Sequence, residues 1–354
     1  MDEEFPEIDA VVGIAKNDDI VEIINSVMLD RRVVTFGDKL CHNMEGDKLQ
    51  STLPHYAYLR IADGCSNKCS YCAIPLIRGK MRSRKMENII EEAKKFAENG
   101  VKELVIVAQD VTAYGIDLYK KYALPDLLKQ LCKIDGIKWI RLLYCYPERM
   151  TDELIETIKT EDKVLNYIDI PIQHCNKEIL RNMYRGGDEQ SLRELFAKLR
   201  REIPGVVLRT TLITGFPGET EEQFSELAEF VNDIKFERLG CFAYSAEEDT
   251  PAAEMPDQVD EGERQRRADI ITSEQEIRMG EYYAGMVGNT YEVVCEGFDR
   301  YSDMYFGRSM HFAPEIDGMI YFTSAKDKGS LTIGDFVNVK ITDVLENNLL
   351  GERV

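Results

Sequence analysis

No apolar run in this sequence is long enough to cross a bilayer; stretches such as Leu104 to Ala108 are far too short. No secretory h-region stands at the N-terminus, which is acidic from Asp2 to Glu7. Positive charge is in deficit: Lys plus Arg is 44 against 64 Asp plus Glu, a net charge of −20. That balance argues against gripping nucleic acid with the whole surface and favours a basic protein as partner, although a local basic patch remains open. A disulfide framework is also missing. The nine cysteines are odd in number and most stand singly, which points to a reducing cytosol. No internal repeat or low-complexity tract is visible. What is present is 354 residues, 44% hydrophobic and 31% charged, enough for two or three domains with a sizeable core.

The first fifty residues read as the tail of something. Ile8 to Gly13 is nearly continuous apolar, Asp9 aside, and such a run reads as a buried strand that needs neighbours. Asp18 and Asp19 then cap a short helix through Met28. One strand and one helix are too little for a domain, so residues 1–36 are expected to be the remnant of an N-terminal domain, with 37–54 as linker. From Tyr56 six strand-like runs alternate with helical patterns. The strands are Tyr56 to Ala62, Glu103 to Ala108, Trp139 to Tyr144, Leu165 to Ile172, Val206 to Thr214 and Arg238 to Tyr244. This alternation predicts βαβ units, a parallel sheet and a partial (β/α)6 barrel over 55–246, with chemistry in the loops after the strands. A connector and charged helix occupy 247–284. From 285 to 354 short strands separated by Gly, Asp and Asn predict a small antiparallel all-β barrel.

One motif is specific. Cys65-Ser66-Asn67-Lys68-Cys69-Ser70-Tyr71-Cys72 follows the first barrel strand directly. Three thiolates at this spacing can hold three irons of a [4Fe–4S] cube, leaving the fourth iron open to a small molecule. Zinc is the alternative, but structural zinc wants four closed ligands, usually as two paired motifs, and no second pair exists.

This motif resembles that of the radical S-adenosylmethionine (SAM) enzymes. Several segments narrow the resemblance to the methylthiotransferase branch: Ala62-Asp63-Gly64 before the motif, Ala73-Ile74-Pro75 and Arg78 to Arg84 after it, Val107-Ala108-Gln109-Asp110 with Tyr114-Gly115, and Pro171-Ile172-Gln173-His174. Thr211 to Thr220 resembles the family's glycine-rich SAM-binding turn, and the final barrel resembles the TRAM domain. The resemblance runs from Tyr56 onward, and Pro6 to Gly13 resembles the end of the family's N-terminal domain. It implies a cluster on Cys65, Cys69 and Cys72 that chelates SAM at its open iron and cleaves it to a 5′-deoxyadenosyl radical. It also implies an auxiliary [4Fe–4S] cluster as sulfur source, held by three N-terminal cysteines. Upstream of Cys41 this chain has none, and Cys41 alone cannot supply them. The chain as given is therefore expected to bind one cluster and to cleave SAM, without completing sulfur insertion.

The resemblance places Tyr71 near the adenine, and its other reading is a loop aromatic covering the cluster. Gln109 and Asp110 end a strand and face the site mouth; Asp110 is equally a helix cap. Gly215 and Gly218 allow backbone to approach a ligand, or simply turn the chain into a helix. Arg209, a charge inside an apolar strand, needs a carboxylate, either SAM's or the barrel's. His174, at a strand end, is a candidate for substrate contact beside Asp110. His42, His55 and His311 form no constellation. Cys132, Cys145, Cys175, Cys241 and Cys295 read as core or loop thiols. The basic run Arg78, Lys80, Arg82, Arg84, Lys85 is either a solvated loop or a rim for an anion.

Within the branch one set of enzymes modifies a tRNA adenosine; the other methylthiolates the β-carbon of an aspartate in ribosomal protein uS12. Residues 285–354 carry 6 Lys plus Arg and 11 Asp plus Glu, a net of −5. A tRNA-gripping module should be basic, whereas an acidic one suits a basic ribosomal protein. The segment Arg308 to Ser324 and the ending Leu349 to Glu352 also resemble the ribosomal-protein modifiers. The expected partners are uS12, free or in the small subunit, and an electron donor such as flavodoxin or ferredoxin. No membrane partner is expected, and the chain is read as a monomer. A non-catalytic iron–sulfur scaffold that binds RNA is the reading from another class, and SAM cleavage separates the two.

Overall fold

Alternating side chains set the first layer. In Glu103–Val107, Leu104 and Ile106 pack outward under helices, while Val105 and Val107 face inward with Tyr56, Trp139, Tyr167 and Val207. The computed structural model, which describes residues 5–41, 43–46 and 49–354, joins six such strands into one parallel sheet. They are β1 (Tyr56–Arg60), β2 (Glu103–Val107), β3 (Trp139–Leu142), β4 (Val164–Asp169), β5 (Val207–Thr214) and β6 (Arg238–Ala243), paired in sequence order. β1 and β6 remain unjoined edges, so the barrel is partial. β4 stops three residues short of its expected end, because Pro171 has no N–H for the ladder and Gln173 turns at φ 70°.

The helices that cover the sheet are α1 (Met86–Glu98), α2 (Leu124–Leu131), α3 (Asp152–Thr160), α4 (Glu189–Glu202) and α5 (Glu221–Ile234). In α1, Ile89, Ala93 and Phe96 are buried at helical spacing. α4 and α5 start with capping boxes, Asp188 with Ser191 and Thr220 with Gln223. The long helix α6 (Glu261–Met286) then leads into the second unit.

That unit is a closed five-stranded barrel: β7 (Thr290–Asp299), β8 (Met304–Ser309), β9 (Ile320–Thr323), β10 (Phe336–Leu345) and β11 (Asn348–Arg353). The ring order is β7-β8-β9-β11-β10. The expectation of an antiparallel barrel needs one correction: β9 and β11 run parallel, Ile320 opposite Leu349. Five strands cannot alternate direction around a closed ring, so one pair must run parallel. At the N-terminal end, Ala10–Val12 and Val33–Thr35 form a parallel pair around the helix Ile20–Val27. The second strand lies in a segment to which the sequence reading assigned no element. The first strand is half-buried rather than buried. His42 lies outside the described residues.

The barrel closes the base of the half-barrel, where the strands begin. Trp139 meets Phe336 edge-on at 4.8 Å, and Val294, Met310 and Ala313 complete the inner apolar cluster. Charged groups lie there too. Glu103, fully buried, accepts from Arg141 Nε at 2.7 Å and from Arg308 Nη2 at 2.8 Å. Arg308 Nε also donates to Glu296 at 2.7 Å, and Glu296 meets His55 Nε2 at 2.9 Å. Tyr56 and Tyr58 donate to Glu315, and Tyr167 donates to Asp317. No helix among the described residues is long and apolar enough to cross a membrane.

Burial alone would push the Glu103 carboxyl up; Arg308 and then Arg141 outweigh it and hold it at about 2. A carboxylate depressed on folding stabilises above its unfolded value near 4.5, and that stability is lost as pH falls through about 2. Glu103→Gln should cost about 3–5 kcal/mol in denaturant unfolding at pH 7, because buried Arg141 loses its only carboxylate partner among the described residues and Arg308 keeps only Glu296. The same variant should show a flatter stability profile than the unmodified chain between pH 4.5 and 2. A profile as steep as that of the unmodified chain would deny Glu103 this role.

Candidate active site

The cysteines sit on the excursion between β1 and α1. Its neck is a two-residue antiparallel ribbon, with Ala62 opposite Ser83 and Asp63 opposite Arg82. Gly64, at φ 76°, makes the first bend; a Cβ there would come within 2.4 Å of the Lys80 carbonyl oxygen. The Cys65 amide donates to the Gly79 carbonyl. Further along, Asn67 Nδ2 donates to Asp110 at 2.9 Å, and Arg149 bonds both Asp110 and the Asn67 side-chain oxygen. Ser70 Oγ donates to the Asn182 carbonyl at 2.7 Å, and its amide donates to the Met183 carbonyl. The loop is thus tied at its neck, to the end of β2 and to the helix Lys177–Asn182.

Cys65, Cys69 and Cys72 all face one cavity of about 540 Å³ at the carboxyl ends of the strands. Tyr71, Gln109, Tyr144, Tyr146, Gln173, Arg185 and Thr211 contribute to its wall. Its size suits a small organic ligand. Burial pushes the Cys65 thiol up to about 11 and also raises Cys72, while backbone hydrogen bonds at Asn67 and Ile74 pull each back. Tyr146 OH and Arg185 Nη1 each stand 4.0 Å from Cys69 Sγ. Two cations lie over the Tyr146 ring, with the Arg185 guanidinium carbon at 4.2 Å and that of Arg149 at 4.7 Å from its centroid. Gln109 Oε1 is buried without a hydrogen-bond partner, an orphan acceptor on a cavity-lining residue. Among the described residues no three His, Cys, Asp or Glu groups converge on a single ion; a cube spreads its ligands over separate corners and does not require such convergence.

The remaining residues singled out in the sequence lie elsewhere. Asp110 is buried and holds the cysteine loop; it also caps the turn Val111–Ala113 through the Ala113 amide. Arg209 donates to Asp169 at 2.8 Å and lines a separate cavity at the base, so the carboxylate it meets belongs to the barrel. His174 is fully buried. It accepts from the Asn176 amide at Nδ1, so Nε2 carries the proton, 3.5 Å from Glu219. Glu219 in turn accepts from Arg267 of α6 at 2.7 Å and from the Gly215 amide at 3.0 Å. Burial would raise the Glu219 carboxyl; His174, Arg267 and Gly215 outweigh it and keep it below the usual range. Gly215, at φ 69°, passes close to Arg264, whose Cγ a Cβ would approach to 2.3 Å. Gly218 has open space around it. The glycine turn therefore packs against α6 instead of lining the cysteine cavity.

Tyr144 and Gln173, at the ends of β3 and β4, were not singled out from the sequence. Both hold positive φ, 66° and 70°, a strained state for residues with a Cβ that is concentrated at functional sites. Arg185, a charge in an irregular loop, gave no periodic or motif signal. Among the nine cysteines, Cys145 is buried in the cavity wall and its thiol is held well above the ordinary range by burial.

A cysteine loop at the head of a half-barrel closed below by a small β-barrel defines a radical SAM enzyme. Sequence comparison agrees, matching the Radical SAM superfamily over residues 59–231 and the TRAM domain over 287–354. Ribosomal protein uS12 methylthiotransferase RimO of Caldanaerobacter subterraneus subsp. tengcongensis is 48% identical over 350 residues, covering 99% of this chain and 79% of that protein. The enzyme of the same name from Clostridioides difficile is 46% identical, covering 99% and 78%. This chain belongs to the RimO family of radical SAM methylthiotransferases. Among solved structures, the radical SAM methyltransferase TsrM of Kitasatospora setae matches at 16% identity and a TM-score of 0.48, over 56% of this chain and 38% of that one.

The family brings a [4Fe–4S] cluster and SAM as cofactors. Asp110→Ala should weaken iron retention by the reconstituted chain by roughly 10- to 100-fold, as loss of a supporting partner does at metal sites. Iron per chain after a chelator challenge, with far-UV circular dichroism as a check on the fold, measures it; retention equal to the unmodified chain would remove Asp110 from the loop's support.

Proposed function

We propose that this chain acts in methylthiolation of the β-carbon of an aspartate in ribosomal protein uS12, with a cluster held by Cys65, Cys69 and Cys72 serving the hydrogen abstraction; the inserted sulfur needs an auxiliary cluster whose three ligands are not among this chain's cysteines. The observation that carries the choice of substrate is the fate of the basic run. Arg78 and Arg82 both pair with Asp63, at 2.9 and 3.3 Å, and Arg84 pairs with Glu45 and Glu92, at 2.5 and 2.6 Å. Three of its five cations are thus matched by carboxylates of the chain itself, which weakens the run as a rim for RNA. The C-terminal barrel buries Arg308 inward and keeps Asp303, Asp327, Asp343, Glu346 and Glu352 exposed. A basic protein is attracted to such a surface and a polyanion repelled.

When bound, the cluster and SAM supply a radical able to take hydrogen from a carbon too weakly acidic for a side-chain base. The chain's own residues do the positioning. The pinned loop sets three thiols around the cavity. Tyr71, on the cavity wall and packed against the cluster of Phe216 and Tyr244, offers an aromatic face for the adenine. Gln109 offers its unpartnered Oε1 to a ligand donor. Asp110 acts on the loop, and His174, Glu219 and Arg267 tie the strand ends to α6. Tyr144, half exposed at the mouth, stands where a polypeptide would enter. The electron comes from an external donor such as flavodoxin or ferredoxin, and a ribosomal substrate places the work in the cytoplasm.

Anaerobic reconstitution should load about four irons per chain, and Cys69→Ala should lose them. The reduced chain should release 5′-deoxyadenosine slowly without substrate, and Cys65→Ala should not. For the partner, titration of isolated uS12 and of tRNA at two salt concentrations decides. The chain should bind uS12 more tightly at low ionic strength, and added salt should weaken that complex. Tighter binding of tRNA would move the enzyme to the nucleic-acid-modifying branch.

A further inference from the structure

We propose that Arg185 and Tyr146 raise the reduction potential of the cluster through the sulfur of Cys69; the inference rests on the cluster assignment above. Of the three motif thiols, Cys69 stands apart in its surroundings. The contacts that favour the thiolates of Cys65 and Cys72 are backbone hydrogen bonds at Asn67 and Ile74. Cys69 instead meets side-chain groups: Tyr146 OH and Arg185 Nη1, each at 4.0 Å, and the Tyr71 hydroxyl, which also meets Arg185. The hydroxyls are neutral; the guanidinium carries a full positive charge.

The guanidinium cannot swing away. Arg185 Nη2 donates to the Pro171 carbonyl at 2.7 Å, at the end of β4, and the plane rests on the Tyr146 ring. Arg149 lies over that ring too and bonds Asp110 and Asn67. Arg149, Tyr146 and Arg185 thus link the cysteine loop's anchor to one cysteine sulfur. Arg185 is about nine-tenths buried, so water screens its charge poorly.

The electrostatic sign follows directly. Reduction adds one negative charge to the cluster, and hydrogen bonds to its sulfurs and a nearby cation both favour the more negative state. Removing either makes the cluster harder to reduce. Arg185 and Tyr146 are thus positioning residues that act through a ligand, and their effect is a potential, readable without turnover.

The test uses the full chain reconstituted anaerobically, without SAM, as unmodified protein and as Arg185→Gln, Arg185→Lys and Tyr146→Phe. Iron per chain is counted first, and the signal of the reduced cluster is then followed by electron paramagnetic resonance against applied potential. Arg185→Gln should lower the ratio of reduced to oxidised cluster at a fixed potential roughly tenfold, about 59 mV for a one-electron couple. Tyr146→Phe should shift the midpoint the same way by less, and Arg185→Lys, which keeps the charge and loses the planar fork, should fall between Arg185→Gln and the unmodified chain. If the unmodified chain takes up no iron, the cluster assignment fails. If the unmodified chain is loaded and its midpoint is matched by loaded Arg185→Gln and Tyr146→Phe, this inference fails and the cluster assignment stands. Should Arg185→Gln not hold the cluster, Tyr146→Phe decides, since it removes one hydroxyl and leaves the stacked ring; an unchanged midpoint there overturns the inference.

Discussion

Glu103 begins the second strand of the sheet and has no contact with solvent. A carboxylate in that position must either take up a proton or be met by cations. Arg141, on the neighbouring strand, supplies one. Arg308, more than two hundred residues away in the chain, supplies the other. The half-barrel thus carries a charge that the C-terminal barrel completes, and the seating of one unit on the other is set by hydrogen-bond geometry as well as by apolar contact. The ends of the strands opposite this plug are left free, and there the chain places its cysteines.

The upper site shows a similar use of charged groups as fixings. From the sequence, Asp110, His174 and Arg209 were candidates for a ligand, Asp110 being equally a helix cap and Arg209 equally the partner of a barrel carboxylate. Each engages another side chain: Asp110 with Asn67 and Arg149, His174 with Glu219, Arg209 with Asp169. The wall that faces the cavity is built from groups with softer demands, such as Tyr71, Tyr144, Tyr146 and Gln109. Strong charges hold the frame, and the cavity lining is mostly neutral apart from Arg60, Arg78 and Arg185. Such a division suits a site whose reaction proceeds through a carbon radical, where a nearby acid or base has little to do.

The parts of this architecture that follow from local periodicity were legible in the sequence. The six strands, the helices between them and the cysteine loop after the first strand follow from apolar spacing and the cysteine motif. What was not legible depends on contacts between distant segments. Nothing near Arg209 in sequence indicates Asp169, forty residues away, as its partner. Gln173 was passed over for His174 because the backbone reversal at φ 70° inverts which of the two faces the cavity. Five strands were legible after Gly285, but which pair of the closed ring runs parallel depends on the long-range pairing of β9 with β11.

That ring has a consequence for the order of events during synthesis. Its last strand in sequence, Asn348–Arg353, is not an edge but an inner member, bonded on one side to Ile320–Thr323 and on the other to Phe336–Leu345. Until it emerges from the ribosome the ring stays open and the neighbouring strands keep unpaired backbone. Arg308, carried by the same ring, then lacks a settled frame from which to reach Glu103. The base of the half-barrel is therefore sealed only once Asn348–Arg353 is in place, and a chain lacking that strand would leave a buried acid facing water at the foot of the catalytic unit.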